Sequence, residues 1–166
     1  VEAMNRLLRD NRLDRQVVAL IEVPAWVGIP REDLKERYLS SKTYDTPLDY
    51  PVITHWLHNM PNDKVLDSMK YYNMWNGKDD KVVVIFVPCY LDGNDGIFNI
   101  PYYDFVIGND LSIYPSYYEP WGYTPLESIA FKVPCVTTDL AGFGVWANTV
   151  KGSYSEIEDG VKTIHR

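Results

Sequence analysis

Two carboxylates, Glu119 and Glu127, lie in the run Tyr114-Pro-Ser-Tyr-Tyr-Glu-Pro-Trp-Gly-Tyr-Thr-Pro-Leu-Glu-Ser-Ile-Ala-Phe131, the stretch of this chain best equipped for chemistry. Thr124, Pro125 and, three residues beyond Thr124, Glu127 predict a capping box with proline at the first helical position. The free N–H groups of such a helix start, at the positive end of its dipole, suit an anion, and Gly122 leaves room for one to approach the backbone. Between Tyr114 and Phe131 there is no Lys or Arg. A bound diphosphate would therefore rest on those amides or on basic residues from outside the chain. Glu119 precedes Pro120, which holds it extended and off the helix, turned toward a strand end and placed to meet a ligand. Each feature also has an ordinary reading: Glu119 as a solvated loop residue, Glu127 as a capping partner. Tyr102, Tyr103, Tyr117, Tyr118, Trp121 and Tyr123 read either as a stacking cluster for a sugar or base or, taken singly, as core and interface aromatics.

Other reactive types yield less. Leu91-Asp-Gly-Asn-Asp-Gly96 starts like a calcium loop but lacks the closing Glu that an EF-hand requires, so it is read as a turn. Cys89 and Cys135 each adjoin a proline at the end of an apolar run, as small buried hydrophobes do. His55, His58 and His165 are read as surface or core residues, although the spacing of His55 and His58 would place them on one face of a helix. No metal site is expected. With 16 Lys+Arg against 23 Asp+Glu, the net charge of −7 and the lack of a basic cluster disfavour nucleic acid. The longest apolar run, Val82–Leu91, is broken by Pro88 and is far shorter than the roughly 20 residues of a membrane-spanning helix.

The elements that must position these residues follow from the hydrophobic pattern. Gln16–Pro24 and Lys81–Pro88 read as buried strands of a parallel sheet, with Glu22 the one discordant residue of the first. Helices are expected over Pro30–Leu39, with acids first and bases last, and over Pro61–Asn76, with Val65, Leu66, Met69, Tyr72 and Met74 toward a core. Ser40–Pro51 reads as a connector. Tyr102–Gly108 is expected as a short helix, Asp110–Tyr114 as a strand, Thr124–Phe131 as a helix, and Val133–Thr137 and Gly160–His165 as strands. This alternation predicts an α/β Rossmann-like parallel sheet with helices on both faces, in one domain over residues 1–166. The opening residues pattern as an amphipathic helix through Val1, Met4, Leu7 and Leu8, so the chain is expected to start mid-fold and to be a piece of a longer protein.

The block Pro115–Glu127, followed by Val136-Thr-Thr-Asp-Leu-Ala-Gly-Phe-Gly144, resembles glycogen synthase of the fungal and animal type. The likeness is strong over Tyr102–Gly144, weaker over Val1–Ala25, and departs over Trp26–Asn99. Glu119, seven intervening residues and Glu127 also match the wider group of retaining glycosyltransferases of GT-B architecture. The resemblance implies that this chain is the C-terminal, donor-binding half of such an enzyme. The enzyme would transfer glucose from UDP- or ADP-glucose to an α-1,4-glucan with retention, without metal or cofactor, in the cytoplasm, with an oligomer left open. The implied roles are Glu119 at the donor glucose as the catalytic position, Glu127 at the ribose hydroxyls, and Gly122, Tyr123 and Thr124 at the diphosphate. Trp121 would line the sugar pocket, and Tyr102, or Tyr103 beside it, would stack on the base. The family's Arg and Lys for the leaving diphosphate, and the His and acceptor surface of its N-terminal domain, match no position here, so the 166 residues alone are expected to show little or no transfer. Two other readings stay open: a GT-B transferase with another donor or acceptor, and a catalytically silent nucleotide- or glucan-binding module.

Overall fold

The structure, a computed structural model, describes residues 3, 4, 6, 10, 15–25, 27–151 and 156–166. The expected helix residues Val1, Leu7 and Leu8 lie outside them; Ala3, Met4 and Arg6 are helical. The chain divides into two compact units, Val1–Ile100 and Pro101–Arg166. Every strand pairing between named strands is parallel, and helices flank the strands in the α/β, Rossmann-like manner expected.

In the first unit, strands β1 (Val17–Glu22) and β2 (Val82–Val87) pair from Val17↔Val82 to Glu22↔Val87. Alternation along β2 sends Val82, Val84 and Phe86 into a core with Val52, Ile53, Leu66 and Met69. Its other face, Val83 and Ile85, lines an apolar cavity of about 290 Å³ together with Leu34, Tyr38, Ile97 and Phe98. Asn76 clamps the strand: its side-chain NH₂ donates to the carbonyls of Val84 and Pro51, and its Oδ1 accepts from the Val84 N–H at 2.7 Å.

Helix α1 spans Glu32–Leu39, two residues short of the expected start, because Pro30 is held in an antiparallel bridge to His55. Arg31, fully buried, closes that junction. Its Nη1 donates to the Tyr50 carbonyl, its Nε and Nη2 donate to Asp33, and its guanidinium lies 4.8 Å from the centre of the Trp56 ring. The Arg31 hydrogen bond, opposed by desolvation and aided by the Arg31 charge and the Leu34 N–H, holds the Asp33 carboxyl below its ordinary value. A depressed native pKa means that this pair stabilises the fold above the unfolded value near 3.9 and loses that contribution as pH falls through the native value. Replacing Asp33 by Asn is therefore expected to lower stability at pH 7 by at most about 1 kcal/mol, the side chain being 43% exposed, with the gap to wild type closing in acid. Urea titrations from pH 7 to pH 2 check this, and a gap that widens in acid would reverse the sign.

Helix α2 covers Lys64–Tyr71, with Asp63 as its cap accepting from the Val65 and Leu66 N–H groups at 2.9 and 3.0 Å. It is shorter than the Pro61–Asn76 pattern suggested. Residues 60–62 form a separate 3₁₀ turn, and beyond Tyr72 the chain leaves the helix through Asn73 and Asn76, both in the left-handed region that Asn tolerates. Leu66 and Met69 are buried, and Val65 and Met74 pack against the core, whereas Tyr72, placed toward the core by its spacing, is exposed.

The second unit holds the three-stranded sheet β3 (Ser112–Ile113), β4 (Cys135–Thr138) and β5 (Val161–Ile164) in the order β3-β4-β5. Around it lie α3 (Tyr102–Ile107), α4 (Tyr123–Ala130) and α5 (Gly142–Lys151). Cys135, Phe143, Ala147 and Val161 form its buried core. Burial pushes the Cys135 thiol up to about 11, the state of an inert packing residue, as expected. Helix α5 is not among the elements expected from the sequence; two glycines, Gly142 and Gly144, stand in its first turn.

Candidate functional site

The Tyr114–Phe131 run lies wholly in the second unit, and its geometry is set by backbone. After β3 the chain continues along β4 through the Tyr114 N–H to the Val136 carbonyl, 2.8 Å, and Thr138 Oγ1 then donates to the Ser116 carbonyl at 2.7 Å. Glu119 forms an isolated parallel bridge with Ala141, the extended conformation that Pro120 imposes. Two N–H groups at the start of α5 find their acceptors on this loop, Gly142 on the Glu119 carbonyl at 3.1 Å and Phe143 on the Trp121 carbonyl at 2.7 Å. The Glu119 carboxylate accepts from Ser116 Oγ at 3.3 Å, and it lies so near Gly122 that a Cβ there would stand 3.3 Å from its Oε2. Gly122 also has φ +90, so it is required twice, for its own backbone and for the carboxylate beside it.

The helix start corrects the expected capping box. Gly122, not Thr124, occupies the cap position, without a side-chain cap, and α4 begins at Tyr123, which puts Thr124 and Pro125 second and third. The left-handed turn at Gly122 delivers the chain into the helix before Thr124 is reached. Pro125 has no N–H, so the Tyr123 and Thr124 amides are the donors that the helix geometry leaves without an acceptor in the preceding turn. Glu127 is thereby released from capping. Its Oε1 accepts instead from the Tyr103 hydroxyl at 3.1 Å, and that bond, with the Glu127 charge and some desolvation, raises the Tyr103 pKa.

The aromatics divide into two sets. Trp121 is half-buried, edge-on to Phe143 at 6.1 Å between ring centres and 6.0 Å from Trp146, so it does build core. Tyr117, Tyr118 and Tyr123 are exposed, against the expectation for each taken singly, because the loop that carries them runs outside the sheet. Tyr102 is half-buried, with its ring 5.5 Å from that of Tyr103. A cation that sequence reasoning did not place near this loop, Arg166, has its guanidinium 4.8 Å from the centre of the Tyr117 ring. The register that extends β5 alongside β4 brings it there: the Arg166 N–H donates to Asp139 Oδ1 at 3.0 Å, and His165 bonds the other oxygen of that carboxylate.

In the first unit, His55, Cys89 and Asp95 are buried with donor atoms all within 4.8 Å of one another. Their chemistry argues for packing. His55 Nε2 bonds the Asp95 carbonyl at 2.7 Å and its Nδ1 bonds Thr54 Oγ1 at 2.9 Å. The Asp95 carboxylate accepts from the Ile97, Phe98 and Asn99 N–H groups, which makes the Leu91–Gly96 region the turn expected. The Cys89 thiol is pushed up to about 11 by desolvation and then by Asp95, Asp92 and Glu22. His55 and His58 share no helix face, since His55 lies in the bridge to Pro30.

With this geometry in place, the comparison with known families is decisive. The family model described as glycogen synthase matches residues 30–165. The chain belongs to the glycogen synthase family. It is 43% identical over 116 residues to glycogen [starch] synthase isoform 1 of Saccharomyces cerevisiae, covering 70% of this chain and 16% of that protein. Against the human liver glycogen [starch] synthase it is 37% identical over 119 residues, again 70% of this chain and 16% of the relative. The protein of Caenorhabditis elegans is 43% identical over 96 residues, 57% of this chain and 14% of its own length. The chain thus spans about a sixth of the length of the curated relatives it matches. The glycogen synthase match includes residues 30–99, where the sequence reading saw departure. That stretch supplies packing residues such as Val52, Ile53, Leu66 and Met69, whose apolar character can persist while their identities change. Among the described residues no helix is long and apolar enough to cross a membrane.

Proposed function

We propose that this chain is the donor-binding part of a glycogen synthase that transfers glucose from a nucleotide sugar to an α-1,4-glucan with retention of configuration. One observation carries the reading: the Glu119 carboxylate lies against the glycine that starts α4, while Glu127 stands one turn along the same helix, free of capping. A diphosphate at the Tyr123 and Thr124 amides, with Gly122 leaving room for its oxygens, would have Glu119 on its sugar side and Glu127 on its nucleoside side. Glu119 then holds the donor glucose hydroxyls, Glu127 accepts from the ribose hydroxyls, and Tyr102 stacks on the base. Trp121, braced by Phe143 and Trp146, closes the sugar pocket. No metal is called for in this reading, because the helix start, together with cationic side chains supplied from outside this chain, takes the charge of the departing diphosphate. The acceptor glucan would be held by the parts of the natural protein outside this chain.

The test is transfer by the natural full-length protein from UDP-glucose and ADP-glucose to a maltooligosaccharide, with anomeric configuration read by NMR. Elongation through new α-1,4 bonds from one donor is the expected result and names the nucleotide. Hydrolysis alone, transfer to another acceptor, or β-linked product would overturn the reading.

A further inference from the structure

The hydrogen bond from the Tyr103 hydroxyl to Glu127 Oε1, 3.1 Å long, links the neighbour of the proposed base-stacking residue to the proposed ribose residue. The Tyr103 ring lies 5.4 Å from that of Phe131, one helical turn beyond Glu127, so it runs alongside α4 with its hydroxyl at the carboxylate and its ring at the helix end. The ring of its neighbour Tyr102 lies 5.5 Å from it. A glutamate on a half-exposed helix face normally samples several rotamers. Here one oxygen accepts from a donor whose ring packs against two others. An ionised carboxylate offers about four lone-pair directions, so a tether that uses one of them leaves acceptor capacity for a vicinal diol.

We infer that Tyr103 is a positioning residue for nucleoside recognition: it pre-orients Glu127 to accept both ribose hydroxyls, and through its ring contact ties that carboxylate to the base-stacking Tyr102. The inference rests on the donor-site reading above and deepens it. It assigns Tyr103 a role different from that of an alternative stacking residue. The tether acts on the ribose through the paired arrangement of two hydroxyls, so its value depends on both being present. A nucleotide lacking the 2′-hydroxyl engages one direction only, which a freely rotating carboxylate provides equally well.

The experiment is calorimetric titration of the full-length protein, wild type, Tyr103→Phe, Glu127→Ala and the double variant, with the diphosphate of the nucleotide that serves as donor and with its 2′-deoxy form. Tyr103→Phe keeps the ring packing and removes only the hydroxyl. It is expected to weaken the ribonucleotide about 5-fold, the scale of one hydrogen bond, and to leave the 2′-deoxy nucleotide within about 2-fold. On Glu127→Ala it should add nothing. In turnover, KM for the nucleotide sugar should rise by the same factor with kcat held. Equal weakening of both nucleotides, no weakening of either, or an undiminished effect on the Glu127→Ala background overturns the positioning role while the donor site stands. Nucleotide affinity indifferent to Glu127→Ala overturns the donor-site reading, and this inference with it.

Discussion

Glu119→Gln in the full-length protein is expected to lower kcat for glucosyl transfer about 10²- to 10³-fold while nucleotide affinity stays within about 3-fold. The split follows from where the carboxylate lies. Its backbone is held in the bridge to Ala141, and its side chain is turned to Gly122 and Ser116, which in the proposed donor site is the sugar side of the helix start. Transfer with retention at an anomeric carbon develops positive, oxocarbenium-like charge, and a fixed carboxylate beside it matters more in the transition state than in the bound ground state. Gln preserves size and can still accept from Ser116 Oγ, so the loop should keep its place while the charge is lost. A kcat within a few-fold of wild type would show that Glu119 is the solvated loop residue of its ordinary reading. A parallel loss of nucleotide affinity would show that the substitution disturbed the helix start instead. Glu127→Ala should give the complementary pattern, a raised KM with smaller change in kcat, because its partner does not change charge during the reaction.

The parts of this molecule that were legible in the sequence are those where local chemistry decides. β2 is read correctly because β-branched residues between a turn and a proline have few alternatives, and the Leu66 and Met69 face of α2 follows from spacing. Glu119 and Glu127 were legible as a pair, and Pro120 sets the extended backbone of the first. The cap was misplaced by two positions because the choice between Gly122 and Thr124 depends on a left-handed turn, which in turn depends on the Glu119 loop packing against α5. Helix α5 itself is written in long-range terms. Its glycines look like helix breakers in sequence and are contact residues in space. Arg31 gave no functional signal, yet it joins Tyr50, Asp33 and Trp56 from a fully buried position. The Tyr103 to Glu127 bond was hidden for a similar reason: the two residues are 24 apart in sequence, and only the packing of Tyr103 on Phe131 brings them together.

Alanine at Gly142 or Gly144 is expected to destabilise the protein by about 3 kcal/mol at each site, although both glycines lie inside a helix where alanine alone would stabilise by about 1 kcal/mol. Contact decides the sign. A Cβ at Gly142 would stand 2.2 Å from the Pro120 carbonyl oxygen, and one at Gly144 would stand 2.1 Å from that of Thr138, distances at which backbone must move. Neither carbonyl is free to retreat: Pro120 lies between the two carbonyls that accept from Gly142 and Phe143, and Thr138 is the last residue of β4. The two variants should then part in function. Displacement at Gly144 spreads into β4 and toward the Thr163 methyl of β5, lowering Tm with activity retained in whatever remains folded. Displacement at Gly142 pushes directly on the loop whose carbonyls cap α5 and whose carboxylate faces Gly122. Gly142→Ala should therefore lose kcat at temperatures where it is still fully folded, tracking Glu119→Gln in kind and falling short of it in size. Thermal melts with transfer assays below both transitions separate the two effects. A Gly142→Ala protein that melts higher than wild type would mean that the helix gains more from alanine than the contact costs, and that the Glu119 loop is held by something other than its approach to α5.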